Sequence, residues 1–119
     1  MNAETSISQS IRIAAGRIGC ALFRNTVGRF KTASGQWVVF GLAPGSADLI
    51  GWTCVTVTQS MIGKPVAIFT AIEVKVSGAY TEPERLKKQE SFIAAVKKDG
   101  GYAGFAHNEN EAYRIIRGI

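Results

Sequence analysis

Apolar residues recur at helical spacing at the start of the chain. Ile7, Ile11, Ala14, Ala15 and Ile18 form one stripe, with Arg12 and Arg17 on other sides. The pattern predicts a helix from Glu4 to Gly19, capped by Thr5 or Ser6 and ended by Gly19. The period then changes. CysAlaLeuPheArgAsn, from Cys20, reads as a short strand leading to a basic turn at Gly28, and Gln36 to Phe40 as a second strand broken by Gly41, Pro44 and Gly45. Two longer β-branched and aromatic stretches follow, Asp48 to Thr58 and Val66 to Val76, with Gln59 to Pro65 as a hairpin loop. Pro83 marks the first turn of a helix capped by Thr81 or Glu82 and running to about Lys98, with Leu86, Ile93 and Val96 as its stripe and Phe92 beside it. The turn Asp99–Gly100–Gly101 leads to a strand, TyrAlaGlyPheAlaHis. A last helix from Asn108 turns Ala112, Ile115 and Ile116 inward. The order α, three or four strands, α, β, α predicts one α/β domain, a mixed sheet flanked by helices.

The 119 residues suit one domain, and 46% hydrophobic against 19% charged residues excludes bulk disorder. No apolar run reaches bilayer length, and the first ten residues lack the features of a secretory signal. Two cysteines, Cys20 and Cys54, are too few for a disulfide scaffold; both read as small buried hydrophobes in a reducing compartment, the cytoplasm. No phosphate loop or dinucleotide fingerprint is present, which removes a nucleotide cofactor. A net charge of +5 fits a polyanionic partner or an ordinary basic surface. The five positive residues Arg12, Arg17, Arg24, Arg29 and Lys31 run without an acidic neighbour, which sharpens the case for the former while charge alone leaves both open.

Glu73 and Lys75 stand inside the most hydrophobic strand and share a face opposite Ile72, Val74 and Val76. That face is either solvated or a functional cleft, because charges there are costly unless paired, exposed or metal-bound. If Thr58 pairs with Val66 across the loop, Asp48 falls opposite Val76, within about 6 to 7 Å of the Glu73 and Lys75 pair along the strand. Two carboxylates there can share a divalent cation, with the lysine positioning water or stabilising phosphoryl charge.

GlySerAlaAspLeuIleGly (Gly45 to Gly51) followed by AlaIleGluValLys (Ala71 to Lys75) resembles the PD-(D/E)xK nucleases, most closely their virus-type replication-repair (VRR-NUC) branch. ArgAsnThrValGly from Arg24, SerGly at 77 and 78, Gln89 and GlyGlyTyrAlaGlyPheAla from Gly100 agree in order, so the likeness covers nearly the whole chain; Ala47 stands where the family has proline. The resemblance implies a single VRR-NUC domain over 1–119 with a restriction-endonuclease-like αβββαβα core. It also implies Mg²⁺ or Mn²⁺ and hydrolysis of DNA phosphodiesters. Bare domains of this size resemble small phage proteins that act as homodimers on branched DNA such as Holliday junctions. Asp48, Glu73 and the Val74 (or Ile72) backbone carbonyl are then the metal ligands, and Lys75 holds the water. Gln89 joins the site from the helix, and Glu4 matches the first-helix acidic residue, although as fourth residue it is equally a solvated end.

Arg24 and Asn25 either hold a DNA phosphate or brace the site. Arg29, Lys31, Thr81, Arg85 and Lys88 are further DNA contacts or plain surface. His107, the single histidine, reads as a turn or capping residue, and Trp37 and Trp52 as packing or dimer-contact residues rather than base-stacking platforms. The rival to an endonuclease is a DNA-binding module that does not cut, or a nuclease of flaps or single strands.

Overall fold

The computed structural model describes residues 2–118 and is a mixed α/β protein in two compact units, Met1–Val55 and Thr56–Ile119. The first holds α1 (Ala3–Gly16), β1 (Cys20–Arg24), β2 (Gly28–Lys31), β3 (Trp37–Phe40) and β4 (Leu49–Thr53). The second holds a short 3₁₀ turn (Gln59–Met61), β5 (Thr70–Val74), α2 (Pro83–Lys98), β6 (Tyr102–Ala106) and α3 (Glu109–Arg117). Among the described residues no helix is long and apolar enough to cross a membrane.

The strands pair two by two rather than in one continuous sheet. β1 and β4 are antiparallel, as are β2 and β3, whereas β5 and β6 are parallel. The expected hairpin does not form: Thr58 caps the 3₁₀ turn and Val66 lies outside any strand. The register that set Asp48 opposite Val76 therefore falls with it. A parallel partner for β5 requires a crossover, and α2 supplies it.

In the first unit α1 starts at Asn2, whose side chain accepts from the Thr5 N–H at 2.8 Å, and it ends three residues before Gly19. The face it half-covers carries Thr5, Ser8 and Ala15, and Arg12 Nε on the same side donates to the Leu22 carbonyl at 3.2 Å. The apolar stripe Ile7, Ile11 and Ile18 is exposed instead. Sequence reading took apolar for buried; a hydrogen-bonded polar face won. β2 was expected as a turn. The true turn lies beyond its end, between Thr32 and Gln36, where Gly35 has φ +87° and the Thr32 N–H donates to the Gln36 carbonyl at 2.7 Å. At Gly51 any Cβ would collide with the Ala21 carbonyl across the ladder, so only glycine lets β1 and β4 approach this closely.

The fully buried core lies in the second unit. Val96 of α2 is 1% exposed, and Ala103 and Ala106 of β6, the strand α2 packs on, are buried with it. Glu82 caps α2 by accepting from the Glu84 and Arg85 N–H groups, with Pro83 at the first turn. Ile115 of α3 lies over Gly104, where a Cβ would come within 2.9 Å of Ile115 Cδ1. Ile116, expected inward, is 51% exposed, being one helical step round from that contact. Cys54 lies just past β4 and is exposed rather than buried; both cysteines are free thiols.

α3 is held at its start by Asn108 Oδ1, which accepts from the Glu111 N–H at 2.9 Å, while Glu111 Oε1 reaches back to the His107 N–H and ring Nδ1, each at 2.8 Å. This is a capping box set one residue further back than usual, and it gives His107 its capping role. The His107 N–H, then its ring, hold the Glu111 carboxyl below the ordinary Glu value. A carboxyl with a depressed folded value stabilises above its unfolded value and loses that contribution as pH falls through the folded one. The start of α3 should therefore loosen in acid, below about pH 4. The amide shift of His107 should titrate with a midpoint under the ordinary Glu value; a midpoint at or above it would refute the contact.

Candidate active site

Along the strand β5 the middle residues Ala71, Ile72 and Glu73 are all half-buried. Ala71, Glu73 and Lys75 point to the half-covered side, whereas Val74 and Val76 are 73% and 71% exposed. What covers the polar face is α2. Leu86, Gln89, Ile93 and Val96 recur at three- and four-residue intervals on one stripe, so Gln89 is carried to β5 by the same periodicity that buries its neighbours.

Gln89 bridges the two charges. Its Nε2 donates to Glu73 Oε1 at 2.9 Å, and its Oε1 accepts from Lys75 Nζ at 2.6 Å. Lys75 Nζ donates again to Thr81 Oγ1 at 3.1 Å and lies 5.2 Å from the centre of the Phe105 ring. Two of the three ammonium donors are thus directed, and one Glu73 oxygen, Oε2, takes no hydrogen bond within the described residues. Charge-assisted bonds of this kind contribute about 1.5–3 kcal/mol each. No buried side-chain polar atom of the described residues is left without a partner.

The main chain adds an acceptor. The Phe69 carbonyl accepts from the Tyr102 N–H, and the Lys75 N–H donates to the Ala106 carbonyl, so the odd-numbered residues of β5 direct their main-chain groups to β6. By strand alternation the carbonyls of Ile72 and Val74 point away from β6. Beside the polar face lies an open cleft of about 440 Å³ lined by Ala71, Glu73, Arg85, Lys88, Gln89 and Phe92 among others. Arg85 stands one helical turn before Gln89 and Lys88 immediately before it, and Thr81 Oγ1 accepts from Lys75 Nζ.

In the other unit Glu4, Arg24, Asn25 and Asp48 line one pocket of about 260 Å³ with Asn2, Thr5 and Ser8. Asn25 acts there as a brace. Its Nδ2 donates to Ser46 Oγ at 2.7 Å and to the Ala47 carbonyl at 2.9 Å, its Oδ1 accepts from the Leu42 N–H, and its N–H donates to the Asp48 carbonyl. Ser46 Oγ closes the Pro44–Gly45 turn by donating to the Ala43 carbonyl at 2.6 Å. The loop that presents Asp48 is therefore held from both ends by one amide, and Glu4 sits in the first turn of an ordered helix. Arg29 and Lys31 stand on β2, away from this pocket's lining. Sequence reasoning missed Ser46 and Phe105. A serine preceding the aspartate and an aromatic in the strand beside Lys75 were the available signals.

Among the described residues no three His, Cys, Asp or Glu side chains gather as a metal cage. Compared with protein-family models, with curated proteins and with solved structures, the chain finds no match.

Proposed function

We propose that the chain is a divalent-cation-dependent DNA endonuclease of the PD-(D/E)xK kind, nearest in pattern to the VRR-NUC branch, acting on branched DNA. One observation carries the reading: a carboxylate and an ammonium face the helix-covered side of β5, joined by one glutamine, while valines face out. Charged groups on a covered face are costly for folding, and such local violations concentrate at functional sites.

The donors suit a hard cation. Glu73 Oε2 and the Val74 carbonyl are oxygen ligands, and Mg²⁺ or Mn²⁺ keeps several waters and needs only one or two carboxylates, which a site without a three-residue cage can provide. Asp48 is the second carboxylate that the sequence pattern assigns. Such a cation supplies Lewis-acid polarisation of the scissile phosphate. Lys75, fixed by Gln89 and Thr81, directs its remaining N–H to the attacking water or to the phosphoryl oxygen. Water oxygen bonds to phosphorus, the bond to the 3′ oxygen breaks, and a 5′-phosphate and a 3′-hydroxyl result. Arg85 and Lys88 in the cleft lining meet the phosphate backbone. Cytoplasmic action, in a bacterial or phage-infected cell, completes the reading and agrees with two free thiols.

Labelled four-way junction incubated with the chain should be cut in Mg²⁺ or Mn²⁺ and left whole in EDTA. Asp48→Asn should remove cutting, and full activity in EDTA or in that variant would sink the metal assignment. Binding without cutting in any metal would leave the rival module. A homodimer fits the junction's two-fold symmetry, and the exposed stripe Ile7, Ile11 and Ile18 is apolar surface for it. Sedimentation at micromolar protein should report twice the 12.8 kDa chain, and a monomer that still cuts both opposed strands would end the dimer proposal.

A further inference from the structure

The β2–β3 hairpin has two unlike faces. Phe30, Val38 and Phe40 lie on one with Gly28, the Phe40 ring resting over Gly28 and 6.2 Å from that of Phe30. The other carries Arg29, Lys31, Trp37 and Val39. Lys31 is directly across the ladder from Trp37, with Nζ 6.0 Å from the ring centre, and the Arg29 guanidinium lies 4.8 Å from it on the diagonal. Trp37 still exposes 58% of its surface. Neither cation has an anionic partner: the sequence holds no Asp or Glu between Thr5 and Ala47, and the ion pair found among the described residues is His107 with Glu111.

We propose that this face is a stacking platform for an unpaired base of a nucleic-acid strand, with Arg29 and Lys31 gripping the phosphates on either side. The proposal rests on the nucleic-acid reading above and deepens it by naming single-stranded or unpaired nucleotides as the feature recognised. A base held in a duplex already stacks on its neighbours and offers Trp37 no free face; a base at a branch point or in a single strand does. Arg29 and Lys31 stand about 6.8 Å apart along the strand, in reach of neighbouring phosphates, and hold the indole by cation–π contact in a fixed orientation. Burial of this face against the same face of a second copy would strand its cations without a carboxylate, which disfavours a self-paired dimer here. The opposite, uncharged face of the hairpin carries no such penalty.

The test uses the full chain with Trp52→Phe, so that Trp37 is the sole tryptophan, in Ca²⁺ to prevent cutting. Fifteen-residue oligothymidylate, a blunt duplex of equal length and anionic phospholipid vesicles are titrated in turn. Oligothymidylate should quench Trp37 emission. Trp37→Leu should weaken oligothymidylate binding about 10- to 100-fold and duplex binding by less than about 3-fold, while Trp37→Phe keeps most of the affinity. Arg29→Gln and Lys31→Gln should each lower the salt slope by about 0.7. These two variants and Trp37→Phe decide the matter if Trp37→Leu fails to fold. Unchanged binding by Trp37→Leu, unchanged slopes, or Trp37 emission that responds to protein concentration or vesicles but not to oligothymidylate overturns the proposal. A chain that binds through Trp37 and never cuts overturns the nuclease reading alone, and one that cuts with Trp37 silent overturns this one alone.

Discussion

Glu73→Gln is expected to remove Mg²⁺-dependent cleavage by about 10³-fold or more while leaving DNA binding in Ca²⁺ within about threefold. The substitution keeps the size of the side chain and an oxygen for Gln89 Nε2, so the fold has little reason to change. What it removes is negative charge at the one oxygen free to meet a hard cation. Gln89→Leu acts one step further out. It releases both Glu73 and Lys75 from their orienting partner, and losses of that type cost about 10- to 100-fold. Lys75→Met keeps the aliphatic stem above Phe105 and deletes the ammonium; turnover should fall while the Kd in Ca²⁺ barely moves. The order Glu73→Gln below Gln89→Leu in single-turnover rate is the sharp expectation. Glu73→Gln cutting within tenfold of the parent would remove this carboxylate from the chemistry.

The parts of this arrangement legible in sequence are those governed by short-range rules. Pro83 at the first turn of α2, Asn108 before α3 and the three- and four-residue spacing of Leu86, Gln89, Ile93 and Val96 each depend on neighbours within one or two helical turns, and each appears where expected. The shared face of Glu73 and Lys75 followed from a period-two pattern; helical spacing put Gln89 only on the buried stripe, and its place beside the two charges was expected from the family resemblance. The failures are of a different kind. A seven-residue loop between two β-rich stretches looked like a hairpin, yet strand pairing is a long-range choice, and β5 found β6 through the α2 crossover. The face of α1 was misjudged because apolar periodicity identifies a stripe without saying what meets it; the half-covered positions are Thr5, Ser8 and Ala15. Asn25 could be read as bracing or as a phosphate contact, and only the four hydrogen bonds to the 42–48 loop decide for bracing.

A second large effect concerns stability rather than rate. Replacing Glu73, Lys75 and Gln89 together by Leu, Met and Leu should leave the chain as stable as the parent or more so, by about 1–4 kcal/mol, although cleavage is gone. The three side chains occupy a half-covered face against Phe92, Ile93 and Phe105, surroundings that accept apolar atoms of the same volume without a cavity. Gln89→Leu alone should do the opposite. It leaves a carboxylate without its donor and an ammonium with one acceptor fewer, at a cost of about 1–3 kcal/mol. The single and triple variants therefore differ in sign, because residues in one hydrogen-bonded network do not contribute additively. Urea midpoints of the parent, the single and the triple variant measure this, read through far-ultraviolet circular dichroism at matched slopes. A triple variant that loses as much as the three single losses combined would mean the polar network holds β5 to α2, and the charges on its covered face would then be explained by folding and not by catalysis. A triple variant at or above the parent's midpoint leaves function as the reason these charges stand on the covered face.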